Sequence, residues 1–124
     1  MQLQHVAFSG QHLIEAYGEG GFRLSDGRHE GSVLLLPEGV ETFSPRSMKE
    51  VDRASLAAVA QQSDDIDIFI LGSGQKQIFA SAELQKYFIQ HNIALEVMDS
   101  GAACRTYNIL VSEGRKVAAA IIAV

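Results

Sequence analysis

Apolar residues recur along this chain with two different spacings, and the change falls near Pro45. Before it, short aliphatic runs lie between glycine-dense turns, at 12–17 (HLIEAY), 21–25 (GFRLS) and 32–36 (SVLLL). Runs of that length bounded by turn residues are the pattern of strands. The tetrad Ser25-Asp26-Gly27-Arg28 carries the Asp-Gly pair that favours a tight hairpin. Two or three of these runs are therefore expected to pair antiparallel.

After Pro45 the pattern alternates helix and strand, which is the signature of crossovers winding a largely parallel sheet. Asp52 is placed to cap a helix over 53–62, where Leu56, Val59 and Ala60 share a face. Residues 66–71 (IDIFIL) put Ile66, Ile68 and Ile70 on one side and Phe69 and Leu71 on the other. A strand apolar on both faces belongs in the middle of a covered sheet. Ser81 caps a second helix reaching about His91, with Leu84, Tyr87, Phe88 and His91 on one stripe. Residues 93–98 (IALEVM) form the next strand, Asp99 or Ser100 begins a third helix that Gly114 stops, and 116–124 (KVAAAIIAV) closes the chain as a strand. The expectation is one α/β domain over 1–124, hairpin-rich through residue 45 and alternating from residue 46. No internal repeat, low-complexity tract or linker interrupts it.

Composition narrows the function classes. A chain of 124 residues with 47% hydrophobic and 20% charged residues has the make-up of a folded domain that buries one core. The net charge is −5 and the Lys and Arg residues, apart from the pair Arg115-Lys116, are scattered singly, which speaks against a nucleic-acid binder. One cysteine makes no internal disulfide and fits a reducing compartment. The amino-terminal residues 1–13 lack the basic start, apolar run and cleavage site of a secretory leader. The most apolar stretch, 117–124, is far shorter than the about 20 residues that a membrane span needs. A cytoplasmic protein is expected.

Candidate chemistry gathers at four places. Gly72, Ser73 and Gly74 follow the central strand, where α/β sheets tend to bind ligands. Position 77 is Gln, so the dinucleotide fingerprint is incomplete, and no Gly-Lys-Ser/Thr ending is present for a triphosphate. A conformational role is the plainer reading of these glycines. Cys104 lies early in the third helix, where the dipole lowers a thiol pKa. It also sits at the edge of the apolar face of Ala103, Tyr107, Leu110 and Val111, and a small buried residue is the plainer reading.

Arg105, Asn108 and Ser112 make a polar stripe on the same helix, suited to a carboxylate, a phosphate or a protein partner, or simply to water. Glu96 and Asp99 flank a strand end; a pair there can do acid–base work, but Asp99 reads more simply as a helix cap and Glu96 as an edge residue. The four histidines, at 5, 12, 29 and 91, have no zinc-binding spacing, so neither a metal nor a cofactor is expected.

The LGSG turn, the EVM strand and the run SGAACRTYNILVSEGRKVAAAI resemble the family of small uncharacterised α/β proteins that includes the mitochondrial respiratory complex I assembly factor three. The most specific part is Arg105-Thr106-Tyr107-Asn108 followed by Glu113-Gly114-Arg115, and the likeness extends back through SVLLLPEGVETF. The resemblance implies a three-layer α/β fold: a mixed central β-sheet with helices on one side and a β-hairpin region plus helix on the other. It also implies a role in binding protein partners, with no enzymatic activity established for the family. The expected function is a non-enzymatic, assembly-factor-like binding module. Its surface would comprise Gly72, Ser73, Gly74, Asp99, Arg105 and Asn108, with Arg105 as the charged anchor. The alternative is a small-molecule binder or enzyme in the cleft between the Gly72–Gly74 turn and the helix starting near Ser100. Self-association through an edge strand is a further route to a partner.

Overall fold

Two sheets share the strands of this protein, and the first is entirely antiparallel. The computed structural model describes residues 12–124, so residues 1–11 of the stretch read for a leader, with His5 among them, lie outside the described part. Strands β1 (Ile14–Gly18), β2 (Gly21–Leu24) and β3 (Gly27–Glu30) pair antiparallel in that order. Ser25 and Asp26 form the loop between β2 and β3, with Leu24 opposite Gly27, so the tetrad turns a hairpin. Strand β3 carries no apolar alternation, since Arg28 and Glu30 form an ion pair on it. A polar edge strand of this kind is invisible to hydrophobic periodicity.

The second sheet has the order β5-β4-β8-β6-β7. Its strands are β4 (Val33–Leu36), β5 (Gly39–Thr42), β6 (Ile68–Gly72), β7 (Ala94–Met98) and β8 (Val117–Ile121). Strands β8, β6 and β7 run parallel, whereas β4 is antiparallel to both β8 and β5. The sheet is therefore mixed, where the alternating pattern after Pro45 indicated a largely parallel one. The difference arises because 33–36 leaves the hairpin region and joins the carboxy-terminal strand.

The helix expected over 53–62 is broken into a 3-10 turn (Ala54–Leu56), a short helix α1 (Ala57–Gln61) and another 3-10 turn (Ser63–Asp65). Asp52 does cap: it accepts from the Ser55 N–H at 2.9 Å while its own N–H donates to Ser55 Oγ at 3.0 Å. What it caps is the 3-10 turn. Ser63, Asp64 and Asp65 are weak helix formers, and the chain passes there into the second 3-10 turn.

Helices α2 (Ala82–Gln90) and α3 (Ser100–Ser112) are regular. Ser81 Oγ accepts from the Leu84 N–H, and Asp99 Oδ1 accepts from the Ala102 N–H. Gly114, at φ 75°, ends α3 in the left-handed region, with the Arg115 N–H donating to the Leu110 carbonyl and the Gly114 N–H to that of Val111.

Burial divides into two clusters, one on each face of the second sheet. On one face Leu34, Leu36, Phe69, Leu71, Ala118 and Ala120 pack against Leu56, Val59, Leu84, Tyr87 and Phe88. On the other, Val33, Leu35, Ile70, Ala119 and Ile121 pack against Ile14, Phe22 and Leu24 of the small sheet and Ala103, Cys104, Tyr107 and Val111 of α3. This is the three-layer α/β arrangement, with helices on one side and the hairpin sheet plus α3 on the other. Ile66 departs from the expected alternation and joins the Phe69 face, because it precedes the strand at the end of a 3-10 turn.

Close approach of α3 depends on Gly72. A Cβ there would meet Ile121 Cγ2 at 2.8 Å, Ala103 Cβ at 3.0 Å and Ser100 Cα at 3.2 Å. Gly72→Ala is expected to destabilise the protein by about 1–3 kcal/mol through overpacking. Urea unfolding monitored by circular dichroism checks this; an unchanged midpoint would show that α3 has room to move.

Candidate functional site

The path of the chain reverses direction across the sheet at the carboxyl ends of β6 and β8. Chain order runs β6, α2, β7, then back past β6 through α3 to β8. Open α/β sheets bind ligands at such a reversal, because the two connecting helices diverge there and leave a crevice.

In this protein the crevice is filled by its own residues. Ser100 is 0% exposed; its hydroxyl donates to the Ile122 carbonyl at 2.6 Å and accepts from the Gly74 N–H at 3.0 Å. The Ser100 N–H in turn donates to the Gly74 carbonyl. Ser73 is also buried: its hydroxyl donates to the Lys76 carbonyl at 2.6 Å and accepts from the Ile78 N–H at 3.1 Å. The turn thus directs its polar groups inward, and Gly72 is in contact range of α3. Outside the plug the Gly20 N–H donates to the Val124 carbonyl, tying the β1–β2 hairpin over the same end.

The six residues singled out in the sequence occupy three settings. Gly72 and Ser73 lie under the plug. Gly74 and Asp99 border a shallow depression of about 310 Å³, and Arg105 and Asn108 border a neighbouring one of about 430 Å³. Tyr17 borders both. The residues therefore share one end of the molecule without lining one concave pocket.

Asn108 is turned toward β1. Its Oδ1 accepts from the Ile14 N–H at 2.9 Å and its Nδ2 donates to the Ile14 carbonyl at 2.8 Å. The side-chain amide thereby satisfies both backbone groups of a strand residue, as a neighbouring strand would. Helical phasing places Asn108 away from the core; the small sheet covers that flank as well, which phasing within one helix does not reveal.

Arg105 remains exposed, with no hydrogen bond or ion pair among the described residues. One turn on, Ile109 is exposed at 58%. Neither Ile109 nor Tyr17 was apparent as a surface group from the sequence. Ile109 was readable in principle, since it falls off the stripe made by Ala103, Tyr107 and Val111.

Cys104 is 3% exposed. Burial pushes its thiol up to about 12, against a smaller lowering by the Arg105 charge and a backbone hydrogen bond. Burial outweighs the helix dipole, and a thiolate nucleophile is withheld at neutral pH. Tyr107 is fully buried; burial raises its phenol well above the ordinary value, and its hydroxyl has no hydrogen-bond partner among the described residues. Asp99 is an N-cap and Glu96 is exposed on the edge strand β7. Among the described residues no group of three or more His, Cys, Asp or Glu could hold a metal ion. No helix among them is long and apolar enough to cross a membrane.

A hairpin sheet and a helix stacked on one face of a five-stranded mixed sheet define an α/β class of protein whose strand-end crevice is closed. The chain belongs to the family described as protein of unknown function (DUF498/DUF598), whose model matches residues 14–122. It is similar to NADH dehydrogenase [ubiquinone] 1 alpha subcomplex assembly factor 3 of Xenopus tropicalis, 32% identical over 89% of this chain and 60% of that protein. It therefore spans about three fifths of that relative's length. An uncharacterized protein of Rhodobacter capsulatus is 32% identical over 98% of this chain and 93% of its own. The crystal structure of an outer membrane protein from Bartonella henselae matches with a TM-score of 0.88 at 34% identity, covering 94% of this chain and 98% of that one.

Two outcomes follow from the site's geometry. Asn108→Ala is expected to cost about 1–3 kcal/mol, because it leaves the Ile14 backbone groups unpaired. Amide exchange should show the Ile14 N–H opening faster, and unchanged exchange there would refute the clamp. For Cys104, the thiol shifts from an ordinary value of 9.0 to about 12 on folding, so the unfolded chain loses this proton first. Stability should fall as pH rises through that window, and Cys104→Ala should flatten this part of the profile. A thiol reagent near neutral pH should react only at the rate of opening.

Proposed function

We propose that this protein is a non-enzymatic, assembly-factor-like module that binds a protein partner through the exposed face of α3, with Arg105 as its anchor. The observation that carries the reading is the state of Arg105: exposed, unpaired among the described residues, and set one helical turn from the exposed Ile109. Arginine beside aliphatic and tyrosine side chains is the composition of an interface centre, because its planar guanidinium pairs with carboxylates while its stem packs. Tyr17 supplies the aromatic member at the border of the Arg105 depression.

The remaining residues of the candidate surface have supporting parts in this reading. Asn108 holds β1, and so Tyr17, beside Arg105. Asp99 and the Gly72–Gly74 turn fix the start of α3. The relative's name, an assembly factor of NADH dehydrogenase, supports a role in bringing protein chains together. The buried thiol at Cys104 weighs against nucleophilic chemistry at this end. We propose further that residues 1–124 act as one unit in the cytoplasm, consistent with a lone unpaired cysteine.

Arg105→Ala should weaken recovery of a partner from cytoplasmic extract by about tenfold or more, as expected for an interface anchor. Stability should change by no more than about 0.5 kcal/mol, as is usual for a surface site. Quantitative affinity capture against a Lys86→Ala control, with urea unfolding of each variant, measures both. Equal recovery by wild type and Arg105→Ala would remove α3 as the binding surface.

A further inference from the structure

The layer opposite α3 carries an open sheet edge beside an apolar groove. Among the described residues strand β7 pairs only with β6, so one side of it faces outward. The Ala94 N–H donates to the Asp67 carbonyl and the Met98 carbonyl accepts from the Ser73 N–H, which directs residues 94, 96 and 98 toward β6. By strand alternation the backbone groups of Leu95 and Val97 point away from the sheet. The Val97 carbonyl accepts from Gln77 Nε2 at 3.0 Å, a side chain standing where a strand donor would. The Leu95 N–H, the Leu95 carbonyl and the Val97 N–H have no partner among the described residues.

Side chains beside this edge form a floor and two walls. Leu95 and Val97 pack on the Phe88 and Ile93 side of the sheet. A depression of about 420 Å³ opens there, bordered by Phe79 at 83% exposure and Ile89 at 73%. Both side chains are apolar and stand in water, although each lies within reach of the edge. On the other face of β7, Glu96 is exposed and has no ion pair among the described residues.

We infer that the β7 edge receives an extended segment of another protein as an added strand, apolar at alternate positions toward the groove and basic opposite Glu96. Outward N–H and C=O groups spaced along an edge are matched by an extended backbone, and alternate side chains then reach one face. A second copy fits less well. Overlapping the whole of β7 with itself antiparallel pairs Leu95 with Val97 of the copy and sets Glu96 directly against Glu96, which like charge disfavours.

The opposite edge of this sheet, β5, is four residues long and carries the exposed Glu41, and the edges of the small sheet are bonded or charged. Asn108 occupies the Ile14 backbone of β1, and β3 carries the Arg28–Glu30 ion pair. This surface is separate from the Arg105 face, and each stands or fails alone.

The test uses the full chain labelled for NMR and a synthetic peptide of alternating Val and Thr with one central Lys, beside its counterparts with a central Glu and with Pro in place of Val. The Lys peptide should slow exchange of the Leu95 and Val97 amides by about tenfold or more at saturation, while the Glu96 amide, already bonded to β6, does not change. The Pro peptide should not bind.

Val97→Pro deletes an outward N–H without touching the β6 ladder, as proline allows at an edge. It should weaken the Lys peptide by about tenfold, equivalent to roughly 1.4 kcal/mol. Unchanged Phe69 and Leu71 amide shifts would show the sheet intact. Glu96→Lys, which leaves the backbone alone, should transfer the preference to the Glu peptide. Absence of protection with all peptides, or equal binding by Val97→Pro, would overturn the inference. So would protection already present in the free chain, rising with concentration for a second copy or independent of it for the chain's own residues 1–11.

Discussion

The Ser100 hydroxyl joins three elements at one point. It donates to the backbone just beyond β8, accepts from the backbone just beyond β6, and belongs to the first turn of α3. A buried hydroxyl carries one donor and accepts readily, and here both capacities are used. The consequence reaches past stability. At the strand ends where many α/β proteins keep an open crevice, this one has a plug of backbone and small side chains. In the proposed reading, binding falls to the outer faces of the layers.

The same economy of space governs the core. Strand β8 lies between β4 and β6 and is covered on both faces, and its Ala118, Ala119 and Ala120 are fully buried. Small residues there leave volume for Phe69, Phe88, Phe22 and Tyr107, which supply the bulk from neighbouring elements. Phe69 and Phe88 stack with ring centroids 4.9 Å apart, so the central strand and α2 meet through aromatic contact. Cys104 is part of this fit: a small side chain facing β6 and β8, neutral because the surroundings exclude water.

The run Arg105-Thr106-Tyr107-Asn108, read with Glu113-Gly114-Arg115, separates into distinct physical roles. Tyr107 fills the core, Asn108 clamps β1, and Gly114 with Arg115 terminates α3. The side chains of Arg105, Glu113 and Arg115 are exposed without a partner among the described residues, and Arg105 differs in standing on α3 one turn from the exposed Ile109. The family likeness in this region therefore reports mainly on how the fold is built, and the assembly-factor name belongs to a longer relative. The open edge of β7 is a different kind of signal, since it rests on backbone groups rather than on a side-chain motif.

Local chemistry made much of the fold legible. The caps at Asp52, Ser81 and Asp99, the stop at Gly114, the hairpin at Ser25-Asp26 and the two-faced strand at 68–72 each follow from a few adjacent residues. The strands β3 and β5 were not legible, because each has only four residues with at most one apolar side chain between polar ones or glycine. The groove beside β7 left a faint trace in Ile78-Phe79-Ala80, an apolar run in a loop, and in Ile89, which stands off the stripe of α2.

Sequence by itself determined the α/β class and, outside β3, β5 and the broken helix near 54–65, the kinds of element and their order, because propensity, capping and periodicity act over a turn or two of chain. Tertiary structure alone decided that 33–36 joins the carboxy-terminal strand, that Asn108 faces Ile14, and that Ser100 closes the strand-end crevice. Those outcomes join residues far apart in sequence, 94 positions apart for Asn108 and Ile14. No local pattern encodes such a pairing; it exists only once the layers are stacked and each buried polar group has found its partner.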